Sequence, residues 1–358
     1  MKRIWLLTLI FLTAQLVWAA PNKKEVNLLK QFLQSTSLHG DANYERLAIP
    51  LDNPAMWKGV TWSESGRVVA IEWRDKKLAG QLNLSNFAAL QRLDVANNAI
   101  TMVDVSGCVA LQALDVSHNH LTVLQLDDCV ALEAINCYRN RLTELSVDNT
   151  PRLKMLNCTG NLFVSFSASG APLLHTLYVQ SCRLESLDVD SCANLVTLYC
   201  GYNKLSSITL NGTTSLKYLN IENNCIANLY IQDLASLVSL NCSENNMTGL
   251  ALVNCTALMD LICSYNDLTT IDFSGSDRLT FADCSFNDLS TLDLSGQLML
   301  EKLVCCNNQL TVLDVSHCPN LEYINCRYNQ ISDLRTEGDT SLRMVAGQWN
   351  FLAGTYIF

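Results

Sequence analysis

Thirteen leucines stand in one register, each 21 residues after the last: Leu90, Leu111, Leu132, and so on without an insertion to Leu342. A period that strict excludes ordinary domains with separate cores. It requires a stack of short units, each too small to bury its apolar face without its neighbours. The period overrides the two or three domains that 358 residues would otherwise suggest.

One unit, Leu300 to Val315, shows the pattern L-x-x-L-x-C/V-x-x-N-x-L-T-x-L-D-V. Leu303 and Cys305 lie two apart and share one face of a short strand, while Lys302, Val304 and Cys306 are expected on the other, solvent-facing side. Stacked in register, such strands give a parallel sheet lining the inside of a curved solenoid. Asn fills the ninth place in twelve of the thirteen units, from Asn98 to Asn350, with Cys182 as the exception. Its amide is suited to bonding the backbone groups left where the chain turns off the strand. A second period-two pair follows, as in Leu313 and Val315. Only about ten residues then remain before the next leucine, too few for a packed helix of average length, so short extended or 3₁₀ segments are predicted on the opposite side.

This pattern resembles the leucine-rich repeat over roughly residues 68–358. The resemblance implies a repeat solenoid: a leucine-rich-repeat horseshoe with a parallel β-sheet on its concave face, short extended or 3₁₀ segments on its convex face, and a small helical N-terminal cap. Residues 23–34, KKEVNLLKQFLQ, place Val26, Leu29, Phe32 and Leu33 at helical spacing and suit that cap. The W-x-G-V segment around Trp57 and the G-R-V at Gly66 look like the piece that precedes many secreted leucine-rich arrays. The expected organisation is a signal peptide over 1–19, a capping region over 20–67, and repeats over 68–358. Their divergent first unit carries Leu78, Leu82 and Leu84.

Met1-Lys2-Arg3 followed by the apolar run Ile4–Val17 reads as a secretory signal, with Ala20 the preferred mature start because Pro21 disfavours cleavage directly before it. The run is shorter than the roughly 20 residues of a spanning helix. Export follows, to the extracellular space or cell surface, with the periplasm also open. No cysteine follows the run to take a lipid. The aromatic end, Tyr356-Ile357-Phe358, either folds over the last coil, pairs with something, or belongs to an incomplete reading frame. The formal charge of −10 becomes −12 when Lys2 and Arg3 leave with the signal. That acidity argues against nucleic acid and anionic membrane as partners.

Sixteen cysteines in an exported chain would first suggest disulfides. Eight of them, Cys137, Cys158, Cys200, Cys242, Cys263, Cys284, Cys305 and Cys326, share one inward column with Val95, Val116, Val179 and Ile221. There Cys substitutes for aliphatics and behaves as a small hydrophobe. The parallel Cβ vectors of neighbouring strands disfavour bridges. This column resembles the cysteine ladder of internalin-type adhesins, bacterial surface proteins with 21-residue repeats. A second column, Cys108, Cys129, Cys192, Cys255 and Cys318, is expected at the convex turn. No Cys or His spacing suits zinc, so no metal and no cofactor are expected.

The outward strand places and the loop after the strand are free of core duty and form the natural binding surface. Tyr178 and Tyr199 share one strand column; Tyr218, Phe281 and Tyr323 share the neighbouring one. Tyr202, Tyr265, Phe286, Tyr328 and Trp349 share a column just after the strand. Acids including Glu222 and Asp260 interleave with them, and the basic Arg139 and Arg141 lie earlier. A basic start and an acidic, aromatic middle would orient a dipolar partner. The expectation is a protein ligand on the concave face of an adhesin-like, non-enzymatic module. A glycan stacking on the aromatics and a self-associating structural role are the alternatives. His39, His118, His120, His175 and His317 show neither nucleophile nor metal spacing.

Overall fold

A computed structural model describes residues 19–190, 192–337 and 341–352. The apolar run of the expected signal peptide and the aromatic end at Tyr356–Phe358 lie outside the described residues.

The chain opens with helix α1 (Lys23–Gln34), whose first turn is capped by Asn22: its Oδ1 accepts from the amides of Lys24 and Glu25 at 3.0 and 3.2 Å. The apolar stripe Val26, Leu29, Phe32 and Leu33 is buried against the end of the stack, where the Phe32 ring stacks on Trp73. Glu25, also buried, pairs with Arg67 and accepts from the Val68 amide at 2.8 Å, which ties the helix to the start of the first concave strand. A short helix α2 (Asn43–Arg46) completes the helical part. Strand β1 (Val60–Trp62) then runs antiparallel to β2 (Val68–Glu72), the first strand of the concave sheet. The W-x-G-V segment therefore supplies the one antiparallel neighbour that closes this end of the ladder.

From β2 onward every concave pairing is parallel and in register, giving a fifteen-stranded sheet with β1 included. Each repeat contributes three residues, as in Thr197–Tyr199, Tyr218–Asn220 and Ser239–Asn241, where Leu198, Leu219 and Leu240 pair across the ladder. These leucines and the ladder cysteines are buried, while the flanking strand residues face out. Cys306 departs from expectation: it is buried rather than solvent-facing. Its column, the seventh place counting the first leucine as one, also holds Ala96, Ser117, Ser243 and Ser264, all buried. The chain turns at the next residue, Asn307, which takes the left-handed backbone.

The asparagine column does what its spacing predicts. Asn287 Nδ2 donates to the carbonyls of Cys263 and Cys284 at 3.0 and 3.1 Å, and its Oδ1 accepts from the Leu268 amide at 3.0 Å. The same set recurs at Asn119 and Asn245 among others. At the exceptional unit Cys182 Sγ donates to the Cys158 carbonyl at 3.3 Å, taking the bond an amide would make to the preceding coil.

Among the described residues the convex side carries short strands, as expected, in four separate groups: one three-stranded sheet from Ala79–Asn83 to Val123–Gln125, and pairs at Ser165–Ser167 with Ser186–Asp188, Asn228–Gln232 with Gly249–Val253, and Val312–Asp314 with Asp333–Arg335. The second cysteine column lies at the turn beneath them. Cys108 and Cys129 donate to the Leu84 and Val105 carbonyls of the preceding coil at 3.2 and 3.1 Å.

Candidate functional site: the concave sheet and its ledge

The fold sorts the sequence-selected residues into three parallel rows. The third place of each unit, on the concave strand, presents Tyr218, Asp260, Phe281 and Tyr323; the fifth presents Tyr178 and Tyr199. Asp260 and Phe281 are direct register partners, as are Tyr178 and Tyr199, whose rings meet edge to face with centroids 5.4 Å apart.

The eighth place forms a ledge along one rim of the sheet, where the chain leaves the strand. Every described non-glycine residue there takes the left-handed backbone, including Arg139, Tyr202, Tyr265, Phe286, Tyr328 and Trp349 at φ of 52–59°. The bend lets the next residue, Asn, turn inward to its bonds, and it throws the eighth side chain outward. Tyr265 and Phe286 stack at 4.2 Å with an 8° interplanar angle, and Tyr328 and Trp349 stack at 4.3 Å and 5°. Two-ring stacks therefore flank Asn307 along the ledge, all four rings well exposed.

The charged residues fall in separate places. Arg139 lies over the Tyr138 ring at 5.2 Å, and Tyr138 meets His118 edge-on at 5.0 Å. Sequence reasoning passed over His118 and Tyr138 as part of this group, although they occupy the eighth and seventh places beside Arg139. Arg141 is exposed on the tenth place. Asp260 belongs to a unit six repeats beyond Arg139 and Arg141, so these charges lie in different parts of the sheet. Glu222 accepts from Asn241 Nδ2 at 2.6 Å, and its charge, with that of Glu244, pushes the Tyr202 phenol above its usual pKa.

The cysteines are free thiols, and all but Cys225 are buried. Burial pushes Cys200 and Cys242 to about 12 and raises Cys263, Cys284 and Cys305 well above the ordinary thiol value. They are neutral at physiological pH, which suits core packing rather than metal binding or nucleophilic attack. Among the described residues no group of three or more His, Cys, Asp or Glu could hold a metal ion. No described helix is long and apolar enough to cross a membrane.

A family profile described as leucine-rich repeats (two copies) matches residues 299–337. The functional domain of InlJ from Listeria monocytogenes, which includes a cysteine ladder, superposes with a TM-score of 0.54 at 25% identity, covering 76% of this chain and 68% of that one. A leucine-rich-repeat protein of Leptospira interrogans superposes with a TM-score of 0.63 at 20% identity, over 79% and 88% of the two chains. In sequence, the chain is 34% identical over 108 residues to serine/threonine-protein kinase BRI1-like 1 of Arabidopsis thaliana. That match takes in 26% of this chain and 9% of the kinase, so the chain spans under a tenth of that relative.

Proposed function

We propose that this leucine-rich-repeat solenoid, internalin-like in its 21-residue unit and cysteine ladder, is an exported protein-binding module. It holds its ligand on the concave strands and the aromatic ledge beside them. Proteins of this fold are generally binding modules rather than enzymes, and the finer reading rests on one observation about the ledge. A left-handed backbone suits Gly and Asn, and the column does hold Asn97, Gly160, Asn223 and Asn307. Bulky side chains in that conformation cost on the order of 1 kcal/mol each. Tyr265, Phe286, Tyr328 and Trp349 therefore work against their local backbone, and their exposure means that core packing does not offset the cost. Recognition does.

The stacking geometry favours a protein ligand over a sugar. Within each stack the two rings cover one face of each other, which halves the open ring faces on which a glycan would stack. The basic start and acidic middle would set the direction in which an extended partner lies. The apolar N-terminal run supports export, and with it a surface, adhesin-like role.

The test is capture of a partner from host-cell or extracellular-matrix lysate. It is carried out in parallel with a variant carrying Tyr178→Ala, Tyr199→Ala, Tyr265→Ala and Phe286→Ala. A well-buried anchor contributes on the order of 2 kcal/mol, so the variant should lose its partner while melting normally. Phe286→Asn should raise unfolding stability by about 0.5–1 kcal/mol, through relief of the backbone, and still weaken capture. A partner held equally by all three proteins would place the binding surface elsewhere.

A further inference from the structure

The rim just beyond the ledge divides by charge about a single point. In the tenth place of successive units it carries Arg183, Lys204, Cys225, Asn246 and Asp267, all exposed, with exposed Glu244 beside Asn246 in the eighth place. Parallel strands hold neighbouring units about 4.8 Å apart. Lys204 and Glu244 thus lie one strand spacing to either side of Cys225. Arg183 and Asp267 lie two spacings away, roughly 10 Å. Among the described residues Arg183, Lys204 and Asp267 make no ion pair. Elsewhere on the molecule Arg74 is clamped between Asp94 and Asp115, and Arg335 bridges Asp314 and Asp333. Like charges on neighbouring strands in register repel each other, and among the described residues no cation pairs with the acidic half, where Glu244 accepts only from the neutral Asn223 Nδ2 at 2.8 Å.

The two halves answer each other. A two-fold axis through Cys225 carries each unit before it onto the unit equally far after it in a second molecule, as a self-complementary interface requires. We propose that two copies of this chain associate antiparallel along this rim. Arg183 and Lys204 of one copy face Asp267 and Glu244 of the other, and the two Cys225 side chains meet at the axis. The contact spans five units, about 20 Å of rim, less than a standard interface of roughly 800 Å² per partner would use. The association is therefore weak and salt-sensitive. The contact takes in Glu244 of the ledge and runs beside Tyr202 and Tyr265, while the strand tyrosines Tyr178 and Tyr199 remain open to a ligand; the pairing is argued from the rim charges alone and can fail without the ligand-binding reading.

Cys225, the one exposed cysteine of sixteen, supplies the readout. The experiment follows sedimentation of the mature chain over a range of concentrations, at low salt and at about 0.5 M salt, where screening reaches within a few ångströms. In parallel, diamide is added, accepting the two electrons and two protons released as two Cys225 S–H bonds give way to one S–S bond. We expect dimers at low salt that dissociate at high salt, and a covalent dimer under diamide. Cys225→Ser should retain the low-salt dimer and lose only the cross-link. Arg183→Glu should slow cross-linking about tenfold or more, since the two-fold axis reverses two close charge pairs at once, and adding Asp267→Arg to it should restore the rate. Monomers throughout, cross-linking indifferent to Arg183→Glu, or a double reversal that fails to restore it would each overturn the proposal.

Discussion

The two long faces of this solenoid come from the same 21-residue unit, yet one is an unbroken sheet of fifteen strands and the other is four short fragments. Parallel strands pair at a fixed spacing of about 4.8 Å. In a curved stack the outer arc is longer than the inner one, so only one face can keep that spacing in every unit. The concave face keeps it, because the asparagine bonds lock each coil to its neighbours just beyond the strand. The convex face, held by fewer and more varied contacts, pairs where it can and parts elsewhere. Between Val123–Gln125 and Ser165–Ser167 the parting leaves an open groove of about 760 Å³ lined by residues such as Asp127, Ser146 and Asp148.

If the concave face is the rigid one, its buried thiols should dominate the alkaline response. Burial raises Cys242 from an ordinary 9.0 to about 12 and raises Cys263 well above the ordinary value. Below pH 9 both folded and unfolded chains hold these protons, and the stability from thiol burial is fully present. Above it the unfolded chain ionises first, and stability falls by up to about 1.4 kcal/mol per pH unit for each thiol. Urea midpoints should thus be level to about pH 8.5 and drop steeply from there to pH 11. Cys242→Val should flatten the drop more than the convex Cys192→Val, since Cys192 is raised only to about 11. Equal slopes in the two variants would erase the distinction between these two thiols.

A smaller effect compares single turns. Asn287→Ala removes four bonds to buried backbone groups and should cost about 2–4 kcal/mol in denaturant unfolding. Thr213→Val on the convex side removes one bond, to the Leu210 carbonyl at 2.8 Å, and should cost about 1 kcal/mol. Similar losses would mean that the asparagines are not what keeps the concave ladder whole.

The smallest effect belongs to the convex turns. The hydroxyl and amide of Ser316 hold the Asp314 carboxyl below its usual pKa, so its contribution is present above the ordinary carboxylate range and is lost as pH falls through it. The group is exposed. Asp314→Asn should therefore lower the melting temperature slightly at pH 7 and make no difference near pH 2.

The concave half of this architecture was legible in the sequence because it is local: the leucine and cysteine alternation fixes the strand, and the ninth-place asparagine fixes the turn after it. The fragmentation of the convex face was not legible. It depends on the difference between two arc lengths, and Leu145 and Val147, in a unit without a convex strand, look no different from Leu313 and Val315, in a unit that has one. The burial of Cys306 was not legible, because its column mixes the buried Ala96, Ser117, Ser243, Ser264 and Ser285 with the half-buried Tyr138, Glu222 and Arg327. The left-handed conformation of Tyr265 and Phe286 was likewise hidden behind residues that seldom adopt it, while Asn97, Asn223 and Asn307 in the same place pointed to it. The rows that hold the candidate site residues could be read from the period alone, but which rings stack could not.

The asparagine bonds have one more consequence, for how such a chain changes length. Each amide reaches 24 residues back, three back, and to the amide 19 back. Removing any 21 consecutive residues from the regular region brings an equivalent carbonyl and an equivalent amide to the same reach, and no bond is orphaned. The concave face is in effect a ruler that deletion or duplication can trim or extend in steps of about 4.8 Å. Partners of different size could thus be fitted without redesigning a single turn.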